Sequence, residues 1–322
     1  MLNLITDIEG LSVGHATDLT LGSGVTAIIF DQPAIASGTV LGGAPGGRDT
    51  ALLDPSMTVE KVDAFVLSGG SAFGLDAAGG VQSWLREAGR GFAVGDVRVP
   101  IVPQAILFDL LNGGDKDWGL HAPYRDMGYV ACADASTGRF ELGTVGAGTG
   151  ATTATFKGGL GSASTVGSGG HRIGAIVAVN ALGSATIGAG RHFWAAPFEQ
   201  DSEFGGLGMP ATIDHRMRLK GMSAPATTIG AVVTDAILTK AQAHRLSIAA
   251  HDGLARALLP AHLPLDGDTV LSAATGAKPI EAPGFMELCH LAGIVMARAI
   301  ARGVYEASAL PHEGAQRAWR DG

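Results

Sequence analysis

The chain has 322 residues, of which 46% are hydrophobic and 16% charged, and its formal net charge is −8. That much apolar material is enough for a large buried core, whereas the negative charge excludes the basic surface that nucleic-acid binding requires. The two cysteines are too few for a disulfide framework or a thiolate metal site, which predicts a reduced protein.

The beginning of the chain and its longest apolar stretches predict a cytoplasmic location. The first ten residues carry Asp7 and Glu9 and lack the pattern of a secretory signal. No window of about 18 residues is apolar and free of both glycine and charge, so no membrane span is expected. We therefore expect a soluble protein without a membrane partner.

Short apolar runs separated by glycine recur through the first two-thirds of the chain, and their length and β-branched content predict buried strands. Amphipathic stretches predict helices, and Thr239 is a typical N-cap for one of them. In chain order the predicted elements are strands at 25–30 and 64–67, a helix at 74–88, strands at 91–94, 173–179 and 231–234, and helices at 239–258 and 285–305. This mixture predicts a layered α/β or α+β fold.

Residues 194–226 interrupt this rhythm, because glycine, proline and charge alternate there without periodicity. Structureless stretches of this length are uncommon in compact domains and are often functional. The stretch ends at Thr227, where a predicted core strand begins. Self-cleavage requires an accessible peptide bond that is followed by a rigidly held residue, and a loop that leads into a core strand provides both. An ordinary surface loop is the alternative. The basic run within residues 194–226 (Arg216, Arg218 and Lys220) is interpreted as a solvated loop.

Three other features of the sequence have patterns associated with different chemistry. The GAGTGA run at 146–151 lacks the acidic residue about 20 positions later that dinucleotide binding requires, so it predicts a backbone-rich turn beside an active site. Ser71 follows a predicted strand, but Phe73 stands where a nucleophile elbow needs glycine, and Ser71 is predicted to cap the next helix. The histidines show no metal-ligand spacing, and neither a metal nor a cofactor is expected.

An N-terminal threonine can hydrolyse amides without a metal or a cofactor. Its free α-amine, with a pKa near neutrality, accepts the proton of its own hydroxyl. An internal threonine has no such base, so the chain must first be cut. The residues alone do not distinguish Thr227 from the other threonines.

Seven segments in a fixed order carry a family resemblance. The most distinctive is LSGGSAFGL at 67–75, and the others are IEGLSVGH at 8–15, GGAPGGRD at 42–49, GAGTGA at 146–151, KGG at 157–159, VNA at 179–181 and TTIGAVVTD at 227–235. In this order they resemble the DmpA-like (P1) peptidase family, the group of L-aminopeptidase/D-esterases, β-aminopeptidases and nylon-oligomer hydrolases. The matching segments extend over nearly the whole chain.

The resemblance implies a four-layer αββα sandwich of the N-terminal-nucleophile kind. It implies a single domain, 1–322, that cuts itself between Ala226 and Thr227 into an α chain (1–226) and a β chain (227–322). The implied activity is aminopeptidase-type hydrolysis of small peptides or amino-acid amides through an acyl-Thr227 intermediate, with no cofactor. A homo-oligomer, a tetramer or larger, is also implied.

The same resemblance assigns the site residues. Thr227 matches the nucleophile, and Asn180 matches an amide that donates to the oxyanion. Lys157 matches a lysine that lowers the pKa of the new terminal amine by like-charge repulsion. Asp266 and Asp268 match a pair two residues apart, which share one face of an extended segment and would orient that amine and shape substrate recognition. The alternative for the pair is a solvent-exposed turn.

Three departures from the family pattern leave alternatives open. Ala226 stands where the family often has Asn or Gly, which makes slow or incomplete cleavage an expectation, and Thr228 allows a one-residue slip. A family tyrosine near the oxyanion has no clear counterpart, since Phe108 occupies the comparable region and Tyr124 is the nearest substitute. Acyl transfer of the ornithine acetyltransferase kind and an uncut, non-catalytic binding protein are the competing functions.

Overall fold

The computed structural model describes residues 1–221 and 226–321. The strands of this part are β1 (Leu11–Asp18), β2 (Ser23–Val40), β3 (Gly47–Arg48), β4 (Lys61–Ser68), β5 (Phe92–Val94), β6 (Val97–Val99), β7 (Gln104–Ile106), β8 (Leu160–Val166), β9 (Arg172–Asn180), β10 (Thr227–Ala236) and β11 (Thr269–Lys278). The α-helices are α1 (Ala77–Glu87), α2 (Tyr124–Ala133), α3 (Lys240–Ala257) and α4 (Ala282–Tyr305).

One nine-stranded sheet is folded over at its long strand β2. The strand order is β3-β7-β4-β2-β11-β10-β9-β8, and β1 pairs with the first half of β2. The second half of β2 pairs with β11 instead. Between Ile29 and Ala34 the register with β4 shifts, and this interval contains Pro33, which cannot donate to a neighbouring strand. At this irregularity β2 passes from one half-sheet to the other.

Three buried apolar layers separate four structural layers. One lies between α1, α2 and the outer face of β1, β2 and β4, a second between the two half-sheets, and a third between β8–β11 and the helices α3 and α4. Their members include Val25, Val66 and Val81 in the first, Phe30, Phe65, Ile229 and Leu271 in the second, and Val177, Leu254 and Val295 in the third. The arrangement confirms the predicted αββα sandwich.

Most predicted elements lie inside observed ones. The runs at 25–30, 64–67, 173–179 and 231–234 fall within β2, β4, β9 and β10. The N-cap prediction for α3 is confirmed, since the Thr239 hydroxyl accepts from the Gln242 backbone in a capping box. The helix predicted from residue 285 begins three residues earlier, at Ala282, where Pro283 suits the first turn.

Two predictions in the first half of the chain are wrong. The run at 91–94 was expected to be buried, but β5 and β6 form a separate hairpin with all four apolar strand ends exposed: Phe92, Val94, Val97 and Val99. Ser71 does not cap a helix. It opens a 3-10 helix with φ of 51°, after Gly70 turns the chain at φ of 84°, and no side-chain cap bond forms.

Helix α4 has the length and hydropathy of a membrane-spanning helix, with a window of mean hydropathy 1.4. However, 56% of that window is buried within the protein, where the helix packs on β8 and β9. The apolar side chains of α4 therefore form part of the third buried layer, between the helices and β8–β11. The predicted homo-oligomer stays a prediction.

Candidate active site

The predicted scissile bond lies in the middle of the folded sheet. Thr227 is the first residue of β10 and pairs with Asn180, the last residue of β9. On its other side β10 runs parallel to β11, and a bridge between Ala226 and Asp266 extends this ladder beyond the two strands. The bond between Ala226 and Thr227 therefore lies beside the segment 266–268.

The carbonyl oxygen of Ala226 receives two hydrogen bonds. The Thr227 hydroxyl donates to it over 2.5 Å, and the backbone N–H of Gly267 donates over 2.9 Å. A Cβ atom at Gly267 would lie 2.7 Å from the Thr227 Oγ1 and 2.7 Å from the Ala44 oxygen. Glycine is thus the residue that lets segment 266–268 approach the Thr227 hydroxyl this closely.

Asp268 is buried and accepts three hydrogen bonds. The Thr228 backbone N–H donates to one carboxylate oxygen at 2.9 Å, and the other accepts from the His262 backbone N–H at 2.9 Å and lies 2.8 Å from His262 Nδ1. Burial lowers the pKa of His262, but the hydrogen bond and charge of Asp268 outweigh it, so the pKa is raised. His262 was not identified as a site residue from the sequence, because it lies in a loop without a motif.

Asp266 is equally buried but differs in its electrostatic environment. The backbone N–H groups of Leu182 and Leu263 donate to its two carboxylate oxygens at 3.1 and 3.4 Å. Burial and the neighbouring charge of Asp268 raise the pKa of Asp266 to about 6. The two carboxylates predicted to act together are therefore adjacent, and they are not the solvent-exposed turn of the alternative interpretation.

The side chain of Asn180 makes hydrogen bonds through both its nitrogen and its oxygen in the uncut chain. Its Nδ2 donates to the Phe108 carbonyl at 2.9 Å, whereas its Oδ1 accepts from the Thr152 backbone at 3.0 Å and from Lys220 Nζ at 2.6 Å. The Lys220 backbone N–H is itself bonded to the Leu182 carbonyl. The amide predicted to stabilise an oxyanion thus already donates to a backbone carbonyl.

Lys157 lies near this amide and is almost fully buried. Its Nζ donates to the carbonyl oxygens of Gly148 and Gly158 at 3.1 and 2.9 Å. Burial lowers the pKa of Lys157, the carboxylate of Asp109 opposes this shift and the charge of Lys220 adds to it, which together bring the pKa to about 7. An amine with this pKa exchanges its charge near neutral pH.

A cavity of about 370 Å³ lies next to these groups. Its lining includes Asp109, Asn112, Thr152, Lys157, Lys220 and Gln316. Gly150 of the GAGTGA run lies in the same wall, which agrees with the predicted backbone-rich turn beside an active site. Thr227 is not among the described residues that line the cavity, and only 5% of its surface is exposed.

The interpretation of the basic run as a solvated loop is wrong for one of its members. Arg216 and Arg218 both pair with Asp214 near the surface. Lys220 instead reaches the cavity and Asn180, because its backbone is anchored beside β9. Residues 222–225 of the predicted loop lie outside the described residues.

Tyr124 is not available as a simple replacement for the family tyrosine. Its hydroxyl donates to Ser23 Oγ at 3.0 Å, and Ser23 in turn donates to Asp109. Burial and the charge of Asp109 raise the pKa of Tyr124 above its usual value. Within residues 1–221 and 226–321, no group of three His, Cys, Asp or Glu side chains is arranged to hold a metal ion.

Sequence comparisons place these residues in a family context. The sequence model of peptidase family S58 matches residues 3–317. A protein named as an uncharacterized aminopeptidase of Mycobacterium tuberculosis is 44% identical over 295 residues, which cover 87% of this chain and 83% of the relative. A 6-aminohexanoate-oligomer endohydrolase of Paenarthrobacter ureafaciens is 25% identical over 279 residues, or 84% of this chain and 74% of the relative.

Two solved structures share the fold. A β-aminopeptidase of a Burkholderia species superposes with a TM-score of 0.72 at 23% identity, covering 99% of this chain and 90% of that one. The L-aminopeptidase D-Ala-esterase/amidase of Ochrobactrum anthropi, described as a variant of the Ntn hydrolase fold, gives 0.73 at 19% identity over 98% and 91% of the two chains. These matches confirm the predicted family resemblance and the N-terminal-nucleophile fold.

Proposed function

The chain belongs to peptidase family S58, and we propose that it is a self-processing amide hydrolase of the aminopeptidase type whose nucleophile is Thr227. The observation that carries this proposal is the Thr227 hydroxyl held 2.5 Å from the Ala226 carbonyl oxygen, within a ladder that Gly267 completes. In self-cleavage the hydroxyl oxygen of Thr227 bonds to the carbonyl carbon of Ala226, so these two groups must lie side by side.

In the proposed self-cleavage, Thr227 Oγ1 attacks the Ala226 carbonyl carbon, and the Gly267 N–H stabilises the charge that develops on the oxygen. The C–N bond then breaks, and the nitrogen of Thr227 takes up the hydroxyl proton. An ester joins Ala226 to the threonine oxygen at this stage. Water hydrolyses it, which leaves a carboxylate on Ala226 and a free amine on Thr227.

In the proposed turnover, the free amine accepts the proton of its own hydroxyl, and the oxygen attacks the substrate amide. An acyl-Thr227 intermediate forms, the amine of the leaving fragment departs with a proton, and water releases the acid. Asn180 donates to the oxyanion once its amide has left Phe108. Lys157, buried nearby, disfavours protonation of the Thr227 amine, while Asp266 and Asp268 orient it.

The proposed substrates are small peptides or amino-acid amides. The relatives named as aminopeptidases and as a 6-aminohexanoate-oligomer endohydrolase support an amide bond in a small or linear molecule. The cavity of about 370 Å³ supports a ligand of a few residues. We propose that the two fragments of each cut chain remain together and that several such copies assemble into a homo-oligomer.

Intact-mass spectrometry of the purified protein tests this proposal. We expect two fragments, 1–226 and 227–322, with the smaller one beginning at Thr227, and native mass spectrometry of the same sample reports the number of copies. The cut protein is expected to hydrolyse amino-acid amides with water alone. A need for an added amine acceptor would favour acyl transfer, and full activity in a single uncut chain would contradict the mechanism.

The raised pKa of Asp266 predicts a specific dependence of stability on pH. The folded chain keeps this proton up to about pH 6, whereas its ordinary pKa is 3.8, so ionisation destabilises the fold progressively as pH rises from about 4 to about 6. Asp266→Asn removes this charge. In a Thr227→Val background that stays uncut, we expect the melting temperature of the Asn variant, relative to its parent, to increase over this interval.

The comparison of the two melting curves isolates Asp266 from the other titrating groups, since those are common to both proteins. Asp214→Asn, at an ion pair with Arg216 near the surface, is a control whose relative melting temperature should not rise in the same interval. A constant or falling difference for Asp266→Asn would contradict the assignment.

A further inference from the structure

The ammonium group of Lys220 sits among acceptors at the edge of the candidate site. Its Nζ donates to Asn180 Oδ1 at 2.6 Å and lies 3.4 Å from the Asn180 carbonyl oxygen. Burial lowers the pKa of Lys220 to about 7, and the carboxylates of Asp266 and Asp109 oppose this shift. Lys220 also lines the cavity, whereas Thr227 does not. A cation from the chain itself therefore lies beside the strand residue that pairs with the nucleophile.

We propose that Lys220 occupies, in the uncut chain, the subsite that binds the protonated amine of the substrate in the cut enzyme. This inference rests on the proposed function and deepens it. It assigns the subsite to a primary ammonium group and makes Lys220 an internal occupant that keeps substrate away until the chain is cut.

The chemistry around Lys220 selects a cation. The two acceptors of Lys220 Nζ are the carbonyl oxygen and Oδ1 of Asn180, which accept hydrogen bonds and cannot donate them, and this suits a primary ammonium with its three N–H donors. With Lys220 absent, the two Asn180 oxygens would lose a charged donor at the wall of the cavity. The vacated position would thus offer free acceptor capacity to a small cation that enters from the cavity.

Self-cleavage supplies a reason for Lys220 to leave. Lys220 lies six positions before Ala226, so the cut converts it from part of an internal segment into part of a chain end. Chain ends are ordered only where they are tied down, and this one loses its covalent link to β10. The bond from Lys220 to Asn180 is then opposed by the entropy of a freed terminus.

The experiment uses n-butylammonium, which reproduces the end of a lysine side chain, and the uncut Thr227→Val protein. Calorimetry should show saturable binding to Thr227→Val/Lys220→Ala that is at least about tenfold tighter than to Thr227→Val alone, the factor expected for a charge-assisted hydrogen bond. Lys220→Met is the second variant should the alanine protein not fold. Lys278→Met, at a surface ion pair, should bind no better than the parent.

A second measurement needs no Lys220 variant. In the cut wild-type protein, n-butylammonium should inhibit amide hydrolysis competitively, and n-butanol at the same concentration should not. Equal binding to both uncut proteins, or non-competitive inhibition of the cut one, would overturn the proposal. Because the Thr227→Val proteins perform no chemistry, failure in calorimetry would refute the ammonium subsite and leave the assignment of the nucleophile intact.

Discussion

Replacing Thr227 by valine is expected to leave the chain uncut and without amide hydrolysis. Valine keeps the shape and β-branching of threonine, so the start of β10 retains its packing and only the hydroxyl is lost. Removal of a nucleophile that works with its own base costs on the order of 10⁶-fold in kcat. Thr227→Ser keeps the hydroxyl and should still be cut. Intact mass and the rate of amide hydrolysis are the measurements.

Thr228→Val is the matched control for this prediction. The two threonines are neighbours on one strand, and their side chains point to opposite faces of the sheet. Among the described residues the buried Thr228 hydroxyl has no hydrogen-bond partner, so its removal is expected to leave both cleavage and hydrolysis near the parent level. If Thr227→Val were cut and Thr228→Val remained uncut, the nucleophile would be Thr228 and not Thr227.

The layered mixture of strands and helices was predictable because its signals are local and strong, whereas the four-layer αββα order was implied by the family resemblance. Glycine-bounded β-branched runs marked β2, β4, β9 and β10, and the capping pair Thr239 and Gln242 marked the start of α3. The hairpin of β5 and β6 was mispredicted for the opposite reason. Its apolar residues have the composition of a core strand, and composition alone does not reveal that they are exposed in the folded chain.

The aspartates of the site were predictable because Asp266 and Asp268 match a pair two residues apart in the family pattern. The folded chain places residues 266–268 beside 226–228. Lys220 was missed because its neighbours Arg216 and Arg218 give the run the appearance of a solvated face. Only the folded chain shows that the lysine turns inward while the arginines pair with Asp214. Its place six residues before the predicted cut was the one available signal.

His262 and Gly267 were missed for a different physical reason. His262 acts through a hydrogen bond to Asp268, and a histidine in a loop carries no spacing that predicts such a partner. Gly267 contributes a backbone N–H and the lack of a side chain, and neither contribution is visible in a residue type that occurs 49 times in the chain. Its position between the two aspartates becomes meaningful only when the ladder to Ala226 is known.

Gly267→Ala is accordingly expected to block or strongly slow self-cleavage while the chain remains folded. The added methyl would lie 2.7 Å from both the Thr227 hydroxyl oxygen and the Ala44 carbonyl oxygen, closer than Cβ atoms approach such neighbours. Relieving this contact moves either the hydroxyl or the Gly267 N–H away from the Ala226 carbonyl. A displacement of about 1 Å at reacting groups costs about 10²-fold in rate, and overpacking costs about 1–3 kcal/mol of stability.

The cut fraction against time, measured by intact mass, gives the rate of self-cleavage, and thermal unfolding reports whether the variant is folded. Gly138→Ala is the matched control, because its added methyl meets no atom within 4 Å and its backbone is not in the left-handed region. It should be cut at the parent rate. A folded Gly267→Ala protein that is also cut at the parent rate would show that neither the close approach nor the Gly267 N–H assists the attack on Ala226, and self-cleavage would then need another donor.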